Sequence, residues 1–350
     1  MSHFLRIVLA ALVCLPLSVA SRAETIDTLA AGQQGRIDFI SSTPPNRWVL
    51  ARTRPVPDRS PEGSIAIWGD LLLPPPQSAR GKIPAVVISH GSEGVSSLYY
   101  DVWAKAFLAS GIAVFIVDSQ TPRNVERNLG DRQLTWNTTG NISDGLHALK
   151  ILATHPDIDS TKIFHIGFSR GANASFASAW PIYQRAVLRD GLRYAGNIAV
   201  YPGCNLRFHE ELTATNPAPI LLLLGEKDDM TPAKPCVEYA DQLAKAGHDV
   251  RYKVYAGAHH VFDRLNQPYR RFQEGTFADC SLEHTVTDSR TAVSVRPWGN
   301  YKTGEHFSRD EQWLAAIKEC GREKWITVES NPLARQAAVV DVLAFIGATR

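Results

Sequence analysis

The chain has 350 residues, 44% of them hydrophobic, and a formal net charge of +2 at pH 7. A chain of this size can bury a substantial core, and its length alone would allow two domains. The charge is too near neutral to indicate a nucleic-acid or membrane-surface partner, so we expect neither. Predicted strands and helices alternate along most of the chain, which favours one large α/β domain.

The first 23 residues differ in kind from the rest. Arg6 precedes an apolar stretch over residues 7–20, and the following SRA has the small-x-small pattern of a cleavage site. The apolar run is shorter than the ~20 residues that a membrane-spanning helix needs. It predicts a signal peptide over residues 1–23, cut after Ala23 or, as a second option, after Ala20, with an uncleaved anchor as the alternative. We therefore expect a secreted or periplasmic protein without a membrane partner after cleavage.

The next informative segment is residues 85–94, where the apolar run AVVI leads into the loop SHGSEG. Glycines let the backbone approach a ligand closely, so this loop can aim an N–H group at a substrate. We assign that donor to Ser92, with Gly91 as the alternative. His90 is predicted to hold the loop by a hydrogen bond, and Glu93 either approaches a reactive group or caps the next helix.

Residues 162–177, KIFHIGFSRGANASFA, place G-x-S-x-G between a predicted strand and a predicted helix of small residues. That order is typical of the nucleophile elbow of α/β-hydrolases, where a serine in a strained turn projects its Oγ from the sheet. A Cβ on either glycine would collide with neighbouring backbone. The motif predicts Ser169 as the nucleophile and the backbone N–H of Arg170 as an oxyanion-hole donor, with Ser92 supplying the second. A surface turn that contains a serine by chance is the alternative.

An acid and then a histidine should follow the serine along the chain. Residues 219–232, PILLLLGEKDDMTP, predict a strand that ends in an acidic loop, and residues 250–263, VRYKVYAGAHHVFD, predict a strand that ends in two histidines. Only one residue of each adjacent pair can join a triad, because neighbouring side chains point in different directions. The candidates are Asp228, Asp229, His259 and His260.

Export changes how the cysteines are interpreted. Four cysteines remain outside the predicted signal peptide, and an even number in an oxidising compartment predicts two disulfides, for which three pairings exist. Cys204 follows one predicted strand end and Cys236 follows the acid loop on the next strand, so we propose Cys204–Cys236 and, by elimination, Cys280–Cys320. Buried free thiols are the alternative, and no pair has the close spacing of a structural zinc site.

Residues 264–330 form a long section between the histidines and the predicted last helix. Segments of this length are often lids or binding loops, and a structural excursion held by a disulfide is equally consistent. Residues 96–103, SSLYYDVW, begin the helix after the SHGSEG loop. Their aromatic side chains could line a pocket or pack in the core.

Several of these segments together resemble the dienelactone hydrolase family of α/β-hydrolases. They are AVVISHGSEGV (85–95), GIAVFIVDS (111–119), KIFHIGFSRGA (162–172), YPGC (201–204), GEKDDMTPAKPC (225–236) and VYAGAHHVFD (254–263). The resemblance implies a mostly parallel central sheet with helices on both faces over residues 61–350, preceded by an N-terminal arm, 24–60, of unassigned role. Similar hydrolases show G-x-x-D-x-x-x-P and A-x-H-x-F in the acid and histidine loops, which favours Asp228 and His260 over their neighbours.

The resemblance implies ester hydrolysis by a Ser169–His260–Asp228 triad, without a metal or organic cofactor. The enzymes that give the family its name carry a cysteine at the elbow, so Ser169 leaves dienelactone itself in doubt as the substrate. We therefore expect a small-molecule carboxylic ester as the partner, cleaved through an acyl-serine intermediate. The alternatives are a peptidase or amidase with the same triad, and a non-catalytic binding protein on a hydrolase scaffold. The sequence makes no prediction of the oligomeric state.

Overall fold

The protein is described here by a computed structural model that covers residues 24–53, 63–75, 81–125, 138–189, 191–208, 214–284, 298–307 and 310–349. The predicted signal peptide lies outside these residues. The strands are β1 Gly35–Ser42, β2 Ser64–Leu72, β3 Ile83–Ser89, β4 Ala113–Asp118, β5 Ile158–Phe168, β6 Gly196–Val200, β7 Leu206–Phe208, β8 Ile220–Gly225, β9 Val250–Tyr255, β10 Arg270–Thr276, β11 Leu282–His284, β12 Trp298–Asn300, β13 Glu305–Phe307 and β14 Arg322–Val328.

The helices pack around these strands. They are α1 Arg47–Arg52, α2 Lys105–Ala109, which continues a π-helical turn at Tyr99–Ala104, α3 Thr139–Leu152, α4 Arg170–Ser178, α5 Pro181–Gln184, α6 Ala233–Lys245, α7 Asp310–Cys320 and α8 Pro332–Ala348. A short 3-10 turn covers Thr121–Arg123. In the described part of the chain, no helix is both long and apolar enough to cross a membrane.

Eight strands form the central sheet in the order β1-β2-β4-β3-β5-β6-β8-β9. The pairs β1–β2 and β2–β4 are antiparallel, and every other pair is parallel. A parallel sheet needs cover on both faces, which explains why β4 and β8 are buried along their whole length. The carboxyl ends of β3, β5, β8 and β9 therefore meet at one edge of the sheet, where ligands bind in open α/β sheets.

The two faces of the sheet bury different residues of the same strand. Val86 and Ile88 of β3 pack in a cluster with Trp103 and with Phe345 from α8, whereas Val87 packs with residues of α3, α4 and α6. This alternation is the period of two expected for a strand, and it brings helices to both faces. The α/β-hydrolase fold predicted from the sequence is confirmed.

Residues of the predicted N-terminal arm form the outermost strand of the sheet. β1 pairs antiparallel with β2 from Gly35↔Leu71 to Ser42↔Ser64. The Ser41 hydroxyl also donates to Asp144 Oδ1 at 2.6 Å, which fastens this strand to α3. The arm therefore has a structural role that the sequence analysis did not assign.

The long section after the histidines contributes strands to two small sheets. β10 and β14 form an antiparallel two-stranded ribbon, and β7, β11, β12 and β13 form a four-stranded sheet. The structure joins Cys204 to Cys236 and Cys280 to Cys320, with Cα–Cα distances of 4.9 and 5.0 Å. These are the two pairs proposed from the sequence.

Candidate active site

The turn between β5 and α4 carries Ser169 in a conformation that is rare for a non-glycine residue, with φ 52° and ψ −114°. The two flanking glycines allow the close packing behind it. A Cβ on Gly167 would lie 1.9 Å from the Gly171 carbonyl oxygen, and one on Gly171 would lie 2.1 Å from the Ser89 oxygen. The Ser169 N–H donates to the Val200 carbonyl at 2.9 Å, which ties the turn to the neighbouring strand. This is the geometry of a nucleophile elbow.

His260 reaches Ser169 from the loop after β9. Its Nε2 lies 3.1 Å from Ser169 Oγ, and its Nδ1 lies 2.7 Å from Asp228 Oδ2. Because an ionised carboxylate can only accept, Nδ1 carries the proton and Nε2 is left to accept from the serine hydroxyl. Both His260 and Asp228 are buried, at 3% and 4% exposure, so the chain of hydrogen bonds is shielded from water. The three residues predicted as a triad are thus brought together.

Asp228 is held by its own loop at the end of β8. Its Oδ1 accepts from the N–H groups of Met230 and Thr231, at 3.0 and 2.8 Å. The Thr231 hydroxyl lies 2.9 Å from Asp228 Oδ2 and 3.1 Å from His260 Nδ1. These hydrogen bonds fix the orientation of the carboxyl group toward the imidazole.

The two neighbouring candidates are engaged elsewhere. Asp229 accepts from the backbone and the hydroxyl of Thr327 on β14, and His259 Nδ1 donates to the Lys227 carbonyl at 3.0 Å. Neither contacts Ser169 among the hydrogen bonds of the described residues. The geometry therefore separates each adjacent pair into one residue at the serine and one that secures a loop.

The SHGSEG loop lies next to the elbow. The Gly91 N–H donates to the Tyr99 hydroxyl at 2.9 Å, so this alternative oxyanion donor is already used inside the protein. The Ser92 carbonyl accepts from Gln120 Nε2 at 3.1 Å, and the Ser92 hydroxyl accepts from the Arg170 side chain at 3.1 Å. Ser92 and Arg170, the predicted donors, are thus direct neighbours.

His90 supports this loop from beneath. Its Nε2 accepts from the Ser119 N–H at 3.0 Å, so Nδ1 carries the proton and donates to the Gly91 carbonyl at 2.7 Å. Complete burial lowers the pKa of His90, and the ring stays neutral. The structural role predicted for His90 agrees with these contacts.

A cavity of about 320 Å³ opens above Ser169 and His260. Its wall is mostly apolar, with Leu98, Tyr99, Phe168, Tyr201, Met230, Val261, Phe272, Ile326 and Val328 among the lining residues. The last three of these belong to the β10–β14 ribbon. The section after the histidines is therefore both held by a disulfide and part of the pocket wall, which joins the two roles that the sequence left open.

Four charged side chains also line the cavity, two acidic and two basic: Glu93, Arg264, Arg270 and Glu274. Glu93 forms an ion pair with Arg264, a contact that the sequence did not predict. Glu274 is 2% exposed, on the inner face of the ribbon.

The sequence did not predict the aromatic ring that packs against His260 or the hydrogen bonds that hold this ring. The rings of Tyr201 and His260 lie 4.7 Å apart, and the Tyr201 hydroxyl donates to Asp263 at 2.8 Å. Asp263 also accepts from Trp103 Nε1 at 2.8 Å, and complete burial raises the pKa of its carboxyl. Asp263 lies only three residues beyond His260, but no pattern in the sequence indicates that Tyr201 and Trp103 meet there. Of the aromatic residues at 96–103, Tyr99 lines the cavity, whereas Trp103 is in the core.

The family model described as the dienelactone hydrolase family matches residues 70–286. This range contains the serine, the acid and the histidine of the site, and it ends before β14.

Two curated relatives match shorter parts of the chain. The thiohydrolase apmlB of Arthrinium phaeospermum is 34% identical over 102 residues, which cover 29% of this chain and 32% of the relative. The esterase FrsA of Enterobacter sp. (strain 638) is 28% identical over 119 residues, which cover 34% of this chain and 26% of the relative. The chain thus spans less than a third of the length of these two relatives.

Among solved structures, the thermophilic esterase Est2 of Thermogutta terrifontis with bound propionate is similar at 15% identity and a TM-score of 0.45. The match covers 58% of this chain and 82% of that structure.

Proposed function

Because the chain belongs to the dienelactone hydrolase family, we propose that it hydrolyses a small carboxylic ester through an acyl-Ser169 intermediate. One observation carries the proposal. The hydrogen-bond chain from Asp228 through His260 to Ser169 ends at a cavity large enough for a small substrate.

In the acylation step, Ser169 Oγ attacks the ester carbonyl carbon while His260 Nε2 takes the hydroxyl proton. Asp228 keeps the imidazole in the Nδ1–H form and stabilises the imidazolium that results. Collapse of the tetrahedral intermediate breaks the bond to the alkoxy oxygen, and the proton on Nε2 goes to the departing alcohol. A water molecule then attacks the acyl-serine by the same route and releases the acid.

The negative charge of the tetrahedral intermediate requires donors on one side of the carbonyl. We propose the backbone N–H groups of Ser92 and Arg170 for this role, and their adjacency across the elbow supports the assignment. A donor of this kind contributes about 3–4 kcal/mol to the transition state.

The size of the cavity supports a small substrate. Its 320 Å³ is near the lower end of the range of roughly 300–1,000 Å³ typical of small-molecule sites. The two carboxylates and two guanidinium groups in the wall balance in formal charge, and the apolar majority suits an acyl chain.

We also propose that the protein is exported, as the signal-peptide pattern over residues 1–23 predicts. The two disulfides support an oxidising compartment, where such bonds persist. We propose no nucleic-acid partner and no membrane partner after cleavage of the signal peptide.

The test is to label the purified protein with a fluorophosphonate probe and to map the adduct by mass spectrometry, beside a folded Ser169→Ala variant. A single adduct on Ser169, together with turnover of p-nitrophenyl acetate and butyrate that Ser169→Ala lacks, is expected. A folded protein without adduct or turnover would contradict the proposal and favour a binding protein on a hydrolase scaffold. Faster cleavage of anilides or thioesters than of matched oxygen esters would instead assign an amidase or a thioesterase.

A further inference from the structure

Arg170, the residue after the nucleophile, has a buried side chain. It is 6% exposed, and its Nε donates to the Ser92 hydroxyl at 3.1 Å. Burial lowers the pKa of Arg170 to about 9, an effect that the charge of Glu274 opposes. A guanidinium is costly to bury unless its surroundings compensate it, so its position beside the oxyanion loop calls for a physical explanation.

The contacts of the loop show what the guanidinium adds. Gly91 is held at both of its backbone polar groups, by the Tyr99 hydroxyl at its N–H and by His90 at its carbonyl. Ser92 is held by Gln120 at its carbonyl and by Arg170 at its hydroxyl. The Arg170 side chain is therefore a direct hydrogen-bond link between Ser92 and the nucleophile elbow.

We propose that the Arg170 side chain is a positioning residue of the oxyanion hole, acting through its hydrogen bond to Ser92. The guanidinium fixes the Ser92 N–H relative to the Arg170 N–H, so that both point at the same oxygen. This inference rests on the proposed ester hydrolysis, and it adds a role for a side chain where the elbow motif requires only a backbone N–H.

The physical reason is the narrow geometry of oxyanion stabilisation. Donors act at about 2.7–3.1 Å from the position of the charged oxygen, and a displacement of about 1 Å is costly for catalysis. Removing the guanidinium deletes neither backbone N–H group. It only removes the hydrogen bond that holds the Ser92 side chain, so the Ser92 N–H can move. We therefore expect a smaller loss than the roughly 10²–10³-fold that follows removal of a donor, namely about 10- to 100-fold in kcat.

Glu274 is the acidic residue whose charge acts on Arg170. Glu274 lies on the inner face of β10, more than a hundred residues along the chain from Arg170, and is 2% exposed. The ribbon thus supplies an acidic side chain to the cavity as well as part of its apolar wall.

The test uses two single variants and their combination. Arg170→Met keeps an unbranched side chain without donors, and Ser92→Ala removes the acceptor hydroxyl but keeps the backbone N–H. For p-nitrophenyl butyrate, each variant should lower kcat by about 10- to 100-fold with KM changed by less than about threefold. The double variant should be no slower than the slower single variant, because both substitutions break the same hydrogen bond.

Arg207→Met is the matched control. Arg207 is a buried arginine, 4% exposed, that stacks on Tyr301 in the four-stranded sheet and does not line the cavity. Its replacement should leave kcat within about twofold of the parent. If Arg170→Met does not fold, Ser92→Ala decides the question alone.

Three outcomes would overturn the inference. The first is an unchanged kcat in folded Arg170→Met or Ser92→Ala. The second is a double variant whose loss of kcat equals the product of the two single losses. The third is a KM that rises while kcat stays constant. In each case turnover by the parent protein leaves the proposed function standing. A parent protein that neither cleaves esters nor forms the Ser169 adduct would remove the proposed function and the inference together.

Discussion

Asp229 accepts two hydrogen bonds from Thr327, one from the backbone N–H at 2.7 Å and one from the hydroxyl at 2.9 Å. The residue next to the proposed catalytic acid therefore ties the acid loop to β14 of the ribbon. Asp228 turns the other way, toward His260. Two adjacent residues of the same type thus have separate contacts, which makes them a matched pair for substitution.

Asp228→Asn should lower kcat by about 10⁴-fold, because an amide in place of the carboxylate no longer holds the imidazole in the reactive tautomer. Asp229→Asn should keep kcat within about threefold but reduce the free energy of unfolding by about 1–2 kcal/mol, since its hydrogen bonds to Thr327 lose their charge. Steady-state kinetics and urea unfolding measure the two effects. A larger loss of kcat in Asp229→Asn than in Asp228→Asn would reverse the assignment.

Acid should destabilise the protein through its buried histidines. Burial lowers the pKa of His165 to about 3 and that of His147 to about 4, whereas both titrate near 6.5 when unfolded. Between these values the unfolded chain binds protons that the folded protein excludes. The stability contributed by the neutral rings is therefore complete above about pH 6.5 and is lost as the pH falls, by about 1.4 kcal/mol per pH unit for each ring.

His165→Gln tests this linkage. In the parent, His165 lies between the hydroxyls of Ser89 and Ser178, at 2.8 and 2.7 Å, and glutamine offers a donor and an acceptor without a charge. Urea unfolding at pH 7, 6 and 5 should show a pH slope that is smaller than that of the parent by about 1.4 kcal/mol per unit. Equal slopes in the two proteins would mean that His165 is not excluded from protonation.

Loss of the Cys204–Cys236 bridge should destabilise the fold. The two cysteines are 32 residues apart, and releasing a loop of that length costs about 3–4 kcal/mol in the chain-entropy description. The double variant Cys204→Ser/Cys236→Ser should show this loss in denaturant unfolding, with KM near the parent value. The second bridge, between Cys280 and Cys320, is the comparison.

Cys280→Ser/Cys320→Ser should cost a similar free energy, because its loop spans 40 residues. It should also raise KM, since its cysteines follow β10 and precede β14, the strands that line the cavity. Equal KM values for the two double variants would show that the ribbon keeps its place without the bridge.

Phe272→Ala should shift the acyl preference toward longer chains. Phe272 lines the cavity from β10, and its removal opens apolar space in which each additional buried methylene gains about 0.8 kcal/mol, or about fourfold. The ratio of kcat/KM for p-nitrophenyl octanoate to that for the butyrate should rise by at least tenfold. Trp325→Ala, on the same ribbon but 58% exposed and outside the cavity wall, should leave this ratio unchanged.

Much of the fold could be predicted from the sequence because the relevant signals are local. Apolar runs bounded by glycine indicate parallel strands, and G-x-S-x-G indicates a sharp turn whose glycines meet neighbouring backbone, as Gly167 and Gly171 do. The even number of cysteines outside the predicted signal peptide limited the pairings to three. These features depend on a few neighbouring residues, so their meaning can be read along the chain.

The roles within each adjacent pair required more than spacing. Asp228 and Asp229 differ in the direction of their side chains, and that direction is set by Thr231 and His260 on one side and by Thr327 on the other. Resemblance to similar hydrolases favoured Asp228. Only the packing of the acid loop against β14 shows what Asp229 does.

The sequence by itself determined the order in which the three candidate residues follow the strands. A serine follows one strand, an acid follows a later strand, and a histidine follows the strand after that. The tertiary structure decided what surrounds them, including the wall formed by the β10–β14 ribbon and the contact of the Arg170 guanidinium with Ser92, 78 residues away along the chain. The reason is physical. A turn or a strand follows from short-range sterics and periodicity, whereas the partner of a buried charge is fixed by which distant segments the folded core brings together.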